Sequence, residues 1–273
     1  MKKPPATSLT PLPAANATQI RELLRDRKRR EADRAFVLEG DKPIKELQQA
    51  DPSALLTLVV TLDYLEQCEP AHRRTLERGP TPLYQARASQ FDSLSDVRTS
   101  QGILAIVRQP TWKESAILAR PTLFGLYGER LQDPTNVGGL IRSALAFGVD
   151  ALWLSPDSVD IWNPKVVRGT AGVVMSLPIF SGADPAALIQ ADCVLMAATP
   201  HGARSQDIRQ IQSVPPRALV ALGNESRGLS EDLLNLAGLR FHVPISQAVD
   251  SLNVATAAAI ALFHFSHLRK THA

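Results

Sequence analysis

Between Leu123 and Leu268, short apolar runs alternate with longer helical patterns, and this alternation restricts the fold more than any other feature of the chain. The runs Leu123–Tyr127, Ala151–Leu154, Val194–Ala198, Ala218–Leu222 and Leu239–Val243 read as strands. Val137–Phe147, Pro164–Val174, Pro185–Gln190, Glu231–Leu236 and Val254–Leu268 read as helices. Strands alternating with helices in this way call for a mostly parallel sheet with helices on both faces. The expected class is α/β, with ligands bound in the loops at the strands' carboxyl ends.

The N-terminal part is organised differently. Residues 1–15 carry four prolines and little periodicity, and are expected to be a flexible tail. A first helix follows, capped by Asn16 or Thr18, with Ile20, Leu23 and Leu24 as its apolar stripe. Strands are expected at Phe36–Leu38, Leu55–Leu62, Leu83–Gln85 and Gly102–Val107, with a helix at Lys42–Ala50. This gives a small α/β domain over residues 16–108, a Pro-bounded linker over 109–121 and a second domain over 122–273.

Charge is unevenly placed. Residues 1–120 hold 19 Lys and Arg against 15 Asp and Glu, and the basic excess concentrates between Arg21 and Arg34. Such a surface gains affinity for phosphate by counterion release. Glu22, Asp26, Glu31 and Asp33 are interleaved with it, so a solvated helix face explains it equally well. Cys68 and Cys193 form no metal-ligand spacing and suit a reducing cytoplasm. No apolar signal segment opens the chain, and Val254–Phe265 is too short to span a bilayer, so a cytoplasmic protein is expected. His264 and His267 lack a third ligand, so no metal is expected; they are read as complementing a helix dipole.

Three strand ends carry polar motifs. The first is Asp133-Pro134-Thr135-Asn136-Val137-Gly138-Gly139-Leu140-Ile141-Arg142, a helix entrance whose Arg142 can reach back to form an anion site. A capped helix with a surface arginine explains the same residues. The second is Gly223-Asn224-Glu225-Ser226-Arg227-Gly228-Leu229-Ser230, where the glycines permit tight turning and close approach to a ligand, and Ser230 can cap a helix. The third runs from Val243-Pro244-Ile245 to Asp250-Ser251-Leu252-Asn253, any polar member of which can cap the small-residue helix that follows.

Asn136–Ala144, Gly223–Ser230 and Val243–Asn253, in this order, resemble the motifs of the SpoU (TrmH-like) RNA 2′-O-ribose methyltransferases of the SPOUT superfamily. The Arg21–Gly40 segment is similar to that family's L30e-like substrate-binding domain. Asp250, Ser226 and Gly169–Gly172 depart from the usual pattern without removing a polar group of the motifs. The resemblance implies a C-terminal trefoil knot, a homodimer with the Ala-rich last helix at its interface, and S-adenosylmethionine as methyl donor. It places Gly223, Asn224, Val243, Ile245, Leu252 and Thr199 against the cofactor. It makes Arg142, Asn136, Ser251, Asn253 and Glu225 the catalytic set. A guanidinium is a very weak acid and a poor general base, so Arg142 is expected to bind the target phosphate and stabilise alkoxide charge rather than act as a base. The Arg142→Ala variant is expected to lose methyl transfer and keep cofactor binding.

The implied substrate is RNA, with 23S-type ribosomal RNA favoured over transfer RNA. A non-catalytic RNA-binding or ribosome assembly factor is the alternative. A Rossmann dinucleotide enzyme is disfavoured, because the first strand is followed by no GxGxxG turn.

Overall fold

A computed structural model describes residues 9–97, 99–200, 202 and 204–270. The chain forms two compact units, Met1–Pro110 with Trp162–Arg168, and Thr111–Ile161 with Gly169–Ala273.

In the first unit the elements are β1 (Thr10–Pro11), α1 (Ala14–Arg25), α2 (Arg27–Asp33), β2 (Ala35–Glu39), α3 (Asp41–Ala50), β3 (Leu55–Val60), α4 (Leu62–Gln67), α5 (Pro70–Arg78), β4 (Leu83–Gln85), α6 (Ala88–Asp92) and β5 (Ile103–Arg108). The sheet order is β1-β4-β3-β5-β2, with β5 antiparallel to both its neighbours. Ile20 and Leu23 of α1 pack with Val37, Phe91, Leu104 and Ile106 in one core cluster. The expected tail is only partly open to description. Residues 1–8 lie outside the described residues, while Thr10–Pro11 pair with β4 and Leu12 is buried. Neither Asn16 nor Thr18 caps α1; Pro13 occupies that position, its fixed φ already suited to helix entry. The strand expected to reach Leu62 stops at Val60, because the Thr61 hydroxyl accepts from Tyr64 N and starts α4.

Part of the basic run is paired within its own unit. Arg27 pairs with Glu31 at 2.7 Å, and Arg29 with Asp33 at 2.9 Å and Glu22 at 3.0 Å. Exposed pairs of this kind stabilise the fold little, but each offsets a charge that phosphate would need. Arg30 is buried and donates to the Leu23 carbonyl at 2.6 Å. Trp162 stacks on Phe36 at 4.7 Å and Arg168 bonds Asp96 at 3.0 Å, tertiary contacts that no local pattern announces.

At the start of α3, Asp41 accepts hydrogen bonds from the Tyr64 hydroxyl and from Lys45 Nζ at 2.7 Å. The buried His72 Nε2 lies 3.7 Å from Asp41 and has no hydrogen-bond partner among the described residues. Burial, reinforced by Lys45, pushes the His72 imidazole below its ordinary 6.5. Burial alone would raise the Asp41 carboxyl, but the Lys45 and Tyr64 hydrogen bonds outweigh it and hold the group below 3.8. As pH falls below 6.5 the unfolded chain therefore protonates at His72 before the folded one, and stability drops toward the folded value. The Asp41 contribution is lost only below 3.8. The urea midpoint of the first unit, followed by its amide hydrogen exchange, is expected to fall between about pH 7 and about pH 5. His72→Gln should flatten that slope, and a flat wild-type profile would reject the assignment.

The second unit contains α7 (Glu114–Leu118), β6 (Leu123–Gly128), α8 (Pro134–Ala146), β7 (Ala151–Leu154), β8 (Ile179–Ser181), α10 (Pro185–Gln190), β9 (Val194–Ala198), β10 (Gln206–Asp207), β11 (Arg217–Leu222), α11 (Glu231–Leu236), β12 (Leu239–His242) and α12 (Val254–Lys270). Helix α9 (Pro164–Gly169) runs from the Trp162–Arg168 segment into it. The sheet is parallel throughout, in the order β10-β12-β9-β11-β6-β7-β8. Every residue of β6 and β7 is buried, as strands covered on both faces must be. The linker region contains α7, whose Glu114 accepts from the Trp153 indole at 2.7 Å.

The helix expected over Pro164–Val174 ends at Gly169, because Ala171 and Gly172 adopt positive φ. A Cβ on Gly169 would stand 3.2 Å from the Gly138 Cα, so the small residues here serve close backbone packing. Helix α12 buries Val254, Ala258, Ala261, Leu262 and Phe265 at helical spacing and packs on α8. His264 Nε2 lies 3.1 Å from the Ile211 carbonyl, a tertiary hydrogen bond that orients the ring. No helix among the described residues is long and apolar enough to cross a membrane.

Candidate active site

The carboxyl ends of β6, β11 and β12 release three loops that meet in an open cleft of about 910 Å³. After β6, Asp133 accepts from Thr135 N at 2.7 Å and Asn136 N at 3.4 Å, capping α8, with Pro134 in its first turn. That cap sets Asn136 at the helix entrance.

After β11 the chain turns back on itself. Asn224 Oδ1 accepts from Ser226 N at 3.0 Å and Arg227 N at 3.2 Å, and Gly228 N donates to the Asn224 carbonyl at 2.8 Å. Gly228 takes the left-handed conformation, φ +67°. Gly223 is required for a different reason. A Cβ there would overlap the backbone of Gly228 and Leu229, so it is this chain's own loop that approaches Gly223 closely. Ser230 caps α11 as expected, accepting from Leu233 N at 3.3 Å.

After β12, Asn253 Oδ1 accepts from Ala255 N at 2.9 Å and Thr256 N at 3.2 Å. Asn253, rather than Asp250 or Ser251, therefore caps α12. This fixes its amide orientation: the oxygen faces the helix, and Nδ2 must donate elsewhere. It donates to Asn136 Oδ1 at 2.7 Å, and Asn136 Nδ2 in turn donates to Glu225 Oε1 at 2.9 Å. One continuous chain of hydrogen bonds thus joins all three motifs, ending on a carboxylate.

Ser251, Leu252 and Asn224 line the same cleft. Thr199 and Val243 sit together at the ends of β9 and β12, where Thr199 N donates to the Phe241 carbonyl at 2.8 Å. Gly223 follows β11, the strand beside β9. Ile245 is partly exposed on the loop after β12. Arg142 is not gathered in. It is exposed on α8, does not line the cleft, and has no hydrogen-bond or ion-pair partner among the described residues. The reach back toward Asn136 expected from their spacing is not made.

Two contributors escaped the motif reading. Glu129 accepts from Ser230 N at 2.7 Å and Ser230 Oγ at 2.6 Å, tying the first loop to the second. Arg130 lines the cleft, and its carbonyl accepts from Asn224 Nδ2 at 3.0 Å. Their only signal in the sequence is their place directly after a strand.

Residues 124–263 match the SpoU rRNA Methylase family, and residues 18–105 match the MRM3-like substrate binding domain. The 23S rRNA (guanosine(2553)-2′-O)-methyltransferase RlmP of Bacillus subtilis (strain 168) is 31% identical over 245 residues, 88% of this chain and 92% of that protein. The crystal structure of AviRb from Streptomyces viridochromogenes in complex with the cofactor AdoMet superposes with a TM-score of 0.83. It is 25% identical, with 95% of this chain and 99% of that one covered. An AdoMet-bound rRNA methyltransferase from Sinorhizobium meliloti gives a TM-score of 0.79 at 26% identity, covering 96% and 97%. Motifs, hydrogen-bonded cleft and near full-length similarity agree: the chain belongs to the SpoU rRNA methylase family.

Proposed function

We propose that this protein transfers the methyl group of S-adenosylmethionine to a ribose 2′-hydroxyl of ribosomal RNA, 23S-type RNA being favoured. The observation that carries the reading is the Asn253–Asn136–Glu225 chain of hydrogen bonds across one cleft. It holds polar groups of three separate loops in fixed orientation, which alignment of a sugar hydroxyl with a methyl donor requires.

The residues present fit such a cofactor. Ile245 and Val249, exposed to 38% and 52%, and the half-buried Leu252 give the loop after β12 an apolar surface. The ends of β9 and β11 bring backbone groups of Thr199, Gly223 and Asn224 alongside. Those residues, with Val243, would hold the cofactor, which supplies an electrophilic methyl group when bound. Asn136 and Asn253 position the ribose, Ser251 adds a hydrogen bond, and Glu225 fixes the second loop. Of the two roles open to Arg142, its exposed position favours contact with the target phosphate over contact with the attacking oxygen.

Residues 16–108 are assigned to RNA substrate binding and residues 122–273 to catalysis. The pairing of β12 outside β9, with α12 returning to α8 and β11, supports reading the C-terminal segment as knotted. The exposed Ile260 and Phe263 on α12 support a homodimer interface there. The proposed site of action is cytoplasmic.

Incubation with labelled S-adenosylmethionine and unmodified ribosomal RNA, followed by mapping of the modified ribose, tests the activity. The Arg142→Ala variant is expected to lose at least about 100-fold in methyl transfer, with cofactor affinity within about twofold of wild type. Substantial turnover by that variant would remove Arg142 from the mechanism. Absence of cofactor binding in the wild type, measured by calorimetry, would favour a non-catalytic RNA-binding factor.

A further inference from the structure

We infer that Arg130 is a second RNA-phosphate ligand, placed inside the cleft and separate from Arg142; this rests on the methyltransferase reading above. Arg130 lies two residues beyond the end of β6 and adopts φ +53°, a conformation uncommon for a non-glycine residue and here held by its surroundings. They do so from both sides. Ser155 Oγ accepts from its backbone N–H at 2.8 Å, and its carbonyl accepts from Asn224 Nδ2 at 3.0 Å.

The side chain so aimed is poorly used by the protein itself. A guanidinium has five N–H donors. Here Nε is buried without a partner among the described residues, and Nη2 makes a single 3.4 Å contact with Glu129. Glu129 has little need of it, since that carboxylate already takes two shorter bonds from Ser230, at 2.6 and 2.7 Å. A guanidinium with unspent donors in a polar cleft fits a bidentate oxyanion.

Two oxyanions are candidates, an RNA phosphodiester and the cofactor's carboxylate. The sheet order decides between them. The cofactor loops follow β9, β11 and β12, whereas Arg130 follows β6, on the far side of β11 from β9. The Asn136–Glu225 bond joins the loops after β6 and β11 within the same cleft. Arg130 therefore serves the RNA flank.

The test compares wild type with Arg130→Gly, which accepts the positive φ without strain, and with Arg130→Lys, which keeps the charge and loses the fork. An unmodified 23S ribosomal RNA transcript is the probe for binding across a salt series and for steady-state kinetics, and calorimetry reads S-adenosylmethionine affinity. For Arg130→Gly the RNA KM is expected to rise at least about tenfold, with kcat within about threefold. The slope of log affinity against log salt should become shallower by about 0.7–0.9, the signature of one lost phosphate contact. Cofactor affinity should stay within about twofold, and Arg130→Lys should recover the slope but only part of the affinity. Unchanged RNA affinity and slope would overturn the inference, and so would weakened cofactor binding with an unchanged slope. A wild-type protein that binds the transcript without methylating it would sink the methyltransferase reading instead, and the salt slope would still decide the role of Arg130.

Discussion

Gly223→Ala is expected to lower methyl transfer at least about 100-fold and to weaken cofactor binding at the same time. The cause is steric. A Cβ at position 223 would overlap backbone atoms of Gly228 and Leu229, and backbone cannot step aside as the end of a side chain can. The loop must open, and with it move Asn224, which holds the turn through Ser226 N and Arg227 N, and Glu225, the acceptor for Asn136. Gly228→Ala is the internal control. Nothing lies within 4 Å of a Cβ there, so its cost is only that of the left-handed conformation, about 1–2 kcal/mol. Cofactor calorimetry and turnover on both variants check the contrast. Equal behaviour of the two would show that loop closure at Gly223 is not the controlling feature.

Asn136→Ala is expected to reduce kcat by about 100-fold while leaving cofactor affinity within about twofold and thermal stability nearly unchanged. Asn136 is the middle link of the chain, accepting from Asn253 and donating to Glu225. Its removal frees both partners to rotate. Asn253 and Glu225 are exposed and Asn136 is half-buried, so water can satisfy the partners it leaves and folding loses little. Because the three act as a unit, Asn136→Ala combined with Asn253→Ala should cost much less than the sum of the single losses. Additive losses in that cycle would show that the two residues act independently.

The strand and helix periods were legible wherever an element was long enough to repeat them. Leu123–Gly128 and Val254–Lys270 are apolar in the pattern their burial demands, and their bounds fall close to the expected ones. The edge strands Thr10–Pro11 and Gln206–Asp207 have two residues each, too few to show any period, and pairing alone defines them. Helix ends were harder. A proline or a threonine hydroxyl outweighed apolar patterning at Pro13 and Thr61, and a positive φ did so at Ala171.

The strand ends with which the sequence is most distinctive show the same division. Local chemistry alone marked Ser230 as a helix cap and confined the cap of α12 to Asp250, Ser251 or Asn253, because capping acts over two or three residues; the structure chose Asn253, and put Asp133 at the start of α8. The order of three such motifs was enough to indicate the family. Only the tertiary structure decided which groups meet. It joined Asn253 to Asn136 across 117 positions and Glu129 to Ser230 across 101, and it drew Arg130 rather than Arg142 into the cleft. Hydrogen bonds between side chains so far apart depend on sheet order, and sheet order follows from how strands bury their faces against one another rather than from any local pattern.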